Sequence, residues 1–179
     1  MTVFLGVANA PQFAPTAKKF HYQFNLRDFS KIIENMMLTQ PAQYKGRSLD
    51  IVRLWAHECH RTWRDRLITE EDIKLYNVYM NNAIKDFGDM KADDIFEEPT
   101  IYTSFVATCE GHESSHLPIK SMEHLRGVLE SKLEEYNENI ASMNLVLFDQ
   151  AMEHITRIAR IIDLDAGNAL LVGVGGSGK

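Results

Sequence analysis

Five stretches of this chain repeat their apolar residues every three or four positions, and one short run near the end is apolar without interruption. The repeating stretches predict helices, because 3.6 residues per turn bring those positions onto one face. The uninterrupted run, Ala169-Leu170-Leu171-Val172, has the length and density of a short buried strand. Directly after it stand Gly173-Val174-Gly175-Gly176-Ser177-Gly178-Lys179. A strand running into Gly-x-x-x-x-Gly-Lys is the opening of a phosphate-binding loop. The glycines let successive N–H groups turn inward around phosphate oxygens, and the lysine adds a point charge. The Ser or Thr that would hold Mg²⁺, and the helix whose N-terminus would face the phosphates, do not follow within these 179 residues. The plainer alternative is a flexible Gly/Ser tail.

Ahead of that end the chain reads as a series of helices. Residues 1–19 contain Pro11 and Pro15, show no period, and are expected to be an irregular lead-in with one extended segment at 2–7. Asn25 is a good N-cap, with Asp28 three residues on to answer its N–H. Leu26, Phe29, Ile33, Met36 and Met37 then share a face, and the helix is expected to stop before Pro41. A second helix, capped by Ser48, carries Leu49, Val52, Trp55, Cys59, Trp63 and Leu67. A third begins at Thr69 with Glu70, Glu71 and Asp72 in its first turn, where anions suit the positive helix end. Its stripe is Ile73, Tyr76, Met80, Ile84 and Phe87, and Gly88 is a plausible stop. Residues 101–106 read as a short strand or an extended segment, and 110–116 as a polar surface loop. Ser121 begins a fourth helix with Met122, Leu125, Leu129, Leu133, Tyr136 and Ile140 in register. Asn144 begins a fifth, with Phe148, Met152, Ile155 and Ile162 on one side.

Composition narrows the function classes. No apolar stretch approaches the ~20 residues that span a bilayer, and two cysteines, Cys59 and Cys109, do not make a disulfide framework. Residues 1–66 carry a net charge of +5 and the remainder −11. A basic front and an acidic back argue against nucleic-acid binding and fit a piece whose ends face different neighbours. His57, Cys59 and His60 invite a zinc reading, but no fourth ligand has a fitting spacing. Core packing is expected for Cys59, solvent for a histidine, and nothing is assigned to His112 or His116. Trp55 and Trp63 are read as core. Arg53, Arg61, Arg64 and Arg66 are read as a solvated face or a contact to another module, and Asp93, Asp94, Glu97 and Glu98 as a soluble loop.

Two blocks carry a resemblance. Phe20-His21-Tyr22 with Phe24-Asn25-Leu26-Arg27-Asp28 resembles the segment of dynein heavy chains that opens the helical lid of the third AAA+ module. Met143-Asn144-Leu145-Val146-Leu147-Phe148-Asp149, Ala151-Met152-Glu153-His154 and then Gly167 to Lys179 resemble the start of the fourth module. Leu54-Trp55-Ala56-His57-Glu58, Arg61 and Tyr136-Asn137-Glu138 sit where that family has similar residues. The resemblance runs from about residue 13 to the end and is closer to axonemal than to cytoplasmic dyneins.

The resemblance implies an all-α (mainly α) fold: a helical AAA+ lid bundle at 20–120 after the lead-in 1–19, a connecting helix at 121–143, and the start of the next module at 144–179, with one short strand leading into a truncated phosphate loop. It implies a stretch of an ATP-driven, minus-end-directed microtubule motor of cilia and flagella. Arg27 would be the second-sensor arginine reaching the phosphates of one module's nucleotide. Leu145, Val146 and Leu147 would lie near the adenine of the next, and Gly173, Val174, Gly175, Gly176, Ser177, Gly178 and Lys179 around its phosphates. ATP or ADP with Mg²⁺ would be the cofactor of the parent protein. The partners would be adjacent AAA+ modules, with microtubule and intermediate or light chains through other parts, and neither nucleic acid nor membrane. No catalytic or metal-ligating residue is expected in this stretch, which should lack ATPase activity by itself. The competing reading is a self-contained helical protein-interaction module with a flexible Gly-rich tail; a nucleoside-binding enzyme unrelated to dynein is a third.

Overall fold

The computed structural model describes residues 1–88, 90–109, 116–164, 167–171 and 173. The described residues are mainly helical and divide into two compact units, Met1–Thr100 and Ile101–Lys179.

The first unit is built on α1 (Thr2–Asn9), α2 (Leu26–Met37), α3 (Ser48–Thr62), α4 (Glu70–Ile84) and the single turn α5 (Ala92–Ile95). Within the expected irregular lead-in, the segment read as extended at 2–7 is instead part of a helix, α1, which packs on α4, while 14–19 is irregular as read. Val3 and Val7, four apart, are buried against α4 and the pair supplies the period that an eight-residue segment is too short to display convincingly. Gly6 makes the approach possible, since a Cβ there would sit 2.7 Å from the Tyr79 ring. The core gathers Phe13, Tyr22, Ile32, Val52, Ala56, Cys59, Trp63, Tyr76, Met80 and Ile95.

α2 begins as expected: Asn25 caps it, and Asn25 and Asp28 form a reciprocal capping box. Its inward face is the expected one only in part: Phe29 and Met36 pack against the core. Ile32 is buried beside Asp28 and Asn35, while Leu26, Ile33 and Met37 are exposed. Asp28 turns inward to meet a guanidinium, and that ion pair rotates the helix away from its apolar stripe. α3 starts one residue earlier than read, with Arg47 as N-cap and Ser48 inside the first turn. α4 is capped by the Thr69 hydroxyl, which accepts from the Asp72 N–H, and the segment ends at Gly88 with φ 77°, where a Cβ would be strained.

α3 also grips the segment that follows α5. The Arg53 guanidinium donates to the carbonyls of Asp94 (2.9 Å) and Glu97 (2.8 Å) and to the Glu97 carboxylate. His57 donates Nδ1–H to the Thr100 carbonyl at 3.0 Å, and His60 stacks on Phe96 at 5.5 Å. These positions correct two expectations. Arg53 is no solvated face, Arg61 is mostly buried beside Asp65, and both histidines of α3 are inside the unit rather than in solvent. Burial and the nearby charges of Arg64 and Arg61 push the His60 imidazole down to about 3. Cys59 is buried as expected, and burial holds its thiol well above the usual range.

The second unit is smaller in its core. A two-residue antiparallel ribbon pairs β1 (Tyr102–Thr103) with β2 (Leu117–Pro118), in the register Tyr102 to Pro118. α6 (Ser104–Cys109) follows β1 at once, so the 101–106 segment is part ribbon and part helix. α7 (Met122–Asn139), capped by Ser121, packs on α6 and α8. Ile101, Val106, Ile119, Leu125, Leu129 and Met152 form the core. His116 lies inside this unit, its Nε2 3.5 Å from the Asp163 carboxylate, rather than in a polar surface loop. α8 runs Asp149–Ile162, five residues later than the start expected at Asn144; residues 143–148 have no regular secondary structure, and Phe148 at their end is extended. No strand forms at the described residues 169–171, and Leu170 is 90% exposed. A strand needs a neighbour for its N–H and C=O groups, and the described residues offer none there. The Glu110 end of the polar loop and His112 fall outside the described residues.

Candidate nucleotide-facing elements

The residues singled out by sequence fall in both units. Arg27 belongs to the first. Leu145, Val146, Leu147 and Gly173 belong to the second, and Val174, Gly175, Gly176, Ser177, Gly178 and Lys179 lie outside the described residues.

Arg27 is exposed on the first turn of α2, while the backbone beneath it is fixed by an ordered polar network. Its own N–H donates to the Asn25 side-chain oxygen at 2.9 Å. Asp28 accepts from the Asn25 N–H at 3.0 Å and is ion-paired through both oxygens to Arg66. Arg66 also donates to the Gln23 carbonyl at 3.2 Å and lies over the Phe24 ring at 5.7 Å, while His21 donates Nε2–H to the Arg66 carbonyl at 3.0 Å. The lead into α2 is thus tied, residue by residue, to the turn between α3 and α4.

One step earlier the same lead is tied to α4. The buried Tyr22 hydroxyl donates to Asp72 at 2.9 Å and accepts from the Ile68 N–H at 2.7 Å. Lys19 is ion-paired to Asp72 at 2.6 Å. Burial pushes the Tyr22 phenol up to about 12, the Ile68 N–H opposing it and Asp72 reinforcing it. Burial also works to raise the Asp72 carboxyl, but hydrogen bonds from Lys19, Thr69 and Tyr22 and the Lys19 charge hold it below the usual carboxylate range. A shallow groove on the outer face of α2 is lined by Leu26, Arg27, Ser30, Lys31 and Glu34. Arg27 and Lys31, one turn apart, give that groove two cations, which suits an anionic group.

In the second unit the stretch 143–148 has no regular secondary structure and is held at its ends. The Asn137 carboxamide accepts from the Met143 N–H at 2.7 Å and donates to the Met143 carbonyl at 3.1 Å. Leu147 packs against the core, and Asp149 meets Arg126 at 3.0 Å. Between these anchors Leu145 is 51% and Val146 84% exposed. Among the described residues no group of three His, Cys, Asp or Glu is arranged to hold a metal ion, and Cys59 packs in the core cluster.

Sequence reasoning singled out Arg27 and the 145–147 segment. It missed Arg66, Asp72 and Tyr22 as the residues that fix the lead into α2. The signal was present only as a basic residue just past α3 and an acid in the first turn of α4, both common at helix ends.

A family model described as the AAA+ lid domain matches residues 3–98. A second, described as P-loop containing dynein motor region D4, matches residues 143–179. The dynein beta chain of the flagellar outer arm from Chlamydomonas reinhardtii is 49% identical over 173 residues, 93% of this chain. Human dynein axonemal heavy chain 10 is 42% identical over 166 residues, 92% of this chain. The ciliary dynein beta chain of Tripneustes gratilla is 42% identical over 171 residues, 95% of this chain. The chain spans 4% of the length of each of these relatives.

Proposed function

The chain belongs to the AAA+ lid-domain family, in the form carried by the motor region of axonemal dynein heavy chains, and from that premise we propose that it contributes parts of two neighbouring nucleotide sites. Residues of the first unit form the lid of one AAA+ module, the third of the motor. Residues from 143 onward enter the fourth module up to its phosphate loop. Arg27 reaches from the lid to the phosphates of the preceding module's nucleotide. Leu145, Val146 and Leu147 lie beside the adenine of the following module, and Gly173 to Lys179 cradle its phosphates. The nucleotide is ATP or ADP with Mg²⁺. The parent protein is a minus-end-directed microtubule motor of the ciliary or flagellar axoneme, whose intermediate and light chains bind other parts of it.

The residues fit a nucleotide. A guanidinium on a rigid first turn, with Lys31 one turn away, suits a polyphosphate. Exposed apolar side chains on backbone without regular secondary structure suit a purine face. The observation that carries the proposal is the 49% identity with an axonemal heavy chain over 93% of this chain, which takes in both units. The test is Arg27→Ala in the full-length heavy chain, read as nucleotide affinity at the lid's own site. Loss of one charge-assisted contact is expected to weaken binding there by about tenfold or more. Unchanged affinity and unchanged microtubule gliding would remove Arg27 from the site.

A further inference from the structure

We propose that Asn137 is a positioning residue for the base-binding edge of the second nucleotide site, an inference that rests on the reading of residues 143–179 given above. The Asn137 side chain ends α7 by reaching past the turn at Ile140 to residue Met143. There it satisfies both backbone groups at once, accepting from the N–H at 2.7 Å and donating to the carbonyl at 3.1 Å. A carboxamide that pairs with one residue's N–H and C=O acts like a single rung of a sheet. It fixes the backbone at the start of the 143–148 stretch, which has no regular secondary structure of its own. Leu147, eight residues past the end of α7, is drawn into the core with Leu125, Leu129, Met152 and Ile155. Asp149 is then fastened to Arg126 on α7.

The strap is therefore taut at both ends and open in the middle. Leu145 and Val146 project into solvent, and among the described residues their backbone N–H and C=O groups have no hydrogen-bond partner. Apolar side chains next to free backbone donors and acceptors match a purine, which offers a flat apolar face and an edge of ring nitrogens and an amine. Without the Asn137 rung the strap keeps its Leu147 and Asp149 anchors but loses the one that sets its direction. The effect falls on presentation of the edge rather than on the folding of α7 and α8.

The test uses the full-length heavy chain and 2-azido-ATP, whose photoproduct is mapped by peptide, so that this site is read apart from any other nucleotide site. In the unsubstituted chain, labelling is expected within residues 144–148, and Lys179→Ala is expected to abolish it. Asn137→Ala is expected to lower that labelling about tenfold, as the loss of two hydrogen bonds would. Asn137→Asp keeps the acceptor for the Met143 N–H and loses the donor, so its loss should be smaller; it also serves if the alanine variant folds poorly. Asn139→Ala is the control, because Asn139 caps the same turn through the Glu135 carbonyl at 2.8 Å and does not touch Met143. Amide exchange at 143–148 should rise for both Asn137 variants and stay level for the control. No labelling at 144–148 in the unsubstituted chain would overturn the nucleotide reading itself. Labelling that Lys179→Ala removes and Asn137→Ala leaves intact would overturn only the role of Asn137, as would an equal loss in the Asn139 control.

Discussion

The two units handle their polar and apolar groups differently. In the first, sixteen buried apolar residues form one cluster among the described residues, and its internal charges are spent on fixing chain direction: Arg66 on Asp28, Lys19 on Asp72, Arg53 on the 94–97 carbonyls. In the second, six buried apolar residues form the cluster, while Ile140, Val146, Phe148, Ile162 and Leu170 are more than half exposed. Both units also leave large hydrophobic side chains exposed, Phe20, Leu26 and Met37 in the first among them, but the second does so around a smaller buried cluster of described residues. The difference teaches that apolar content alone does not say where a core is; the anchoring polar contacts do.

The sharpest way to break this comparison is Trp63→Ala. Trp63 is among the largest fully buried side chains of the first unit, and its truncation is expected to cost about 3–5 kcal/mol. Urea unfolding followed by amide exchange should show the loss across residues 1–100. An effect below about 1 kcal/mol would mean that the first unit is not held by its core. The next test is acid. The His60 pKa of about 3 in the folded unit lies below its ordinary value of 6.5, so the unfolded chain takes up a proton that the folded chain refuses. Stability is therefore full above about pH 6.5 and falls as pH drops toward 3, by about 2 kcal/mol on reaching about pH 5. His60→Phe, which keeps an aromatic ring against Phe96 and Tyr76, should flatten that slope; an unchanged slope would assign it to other groups. Asp72, held low, adds its own loss only below about pH 4, so the fall between about pH 6.5 and 4 is free of it. The smallest effect is expected from Val146→Ser in the second unit. At 84% exposure it should shift the unfolding midpoint by less than about 0.5 kcal/mol. A larger loss would show that Val146 is packed in solution.

Much of the helical frame was legible from local chemistry. The Asn25–Asp28 box, the Thr69 and Ser121 caps and the Gly88 stop are decided by a few adjacent atoms, and each stands where its residues imply. The stripes of α3 and α4 hold through Val52, Cys59, Tyr76, Met80 and Ile84, which are buried in the core cluster, while Leu49 and Phe87 at their ends are exposed. What failed depended on contacts far along the chain. The face of α2 is turned by Arg66, 38 residues from Asp28. The helix at 2–9 is stabilised by α4 through Gly6 and Tyr79, which no local period records. His57 and His60 are drawn inside by a carbonyl at Thr100 and a ring at Phe96. The strand expected at 169–172 needs a neighbouring strand to exist at all. Of the candidate site, Arg27, Leu145 and Val146 are residues that sequence marked for contact and that the fold leaves exposed, while Leu147 packs against the core.

The grip of α3 on residues 94–100 has an evolutionary corollary. Arg53 and His57 take hold of carbonyl oxygens, and every amino acid carries one. Side chains at Asp94 and Thr100 can therefore drift through substitution while the segment's path is inherited unchanged. Selection is concentrated on two donors in a helix elsewhere in the chain. Homologues should accordingly vary at Asp94 and Thr100 more than at Ile95 and Phe96, which pack against the first unit's core, and hold Arg53 and His57 nearly fixed.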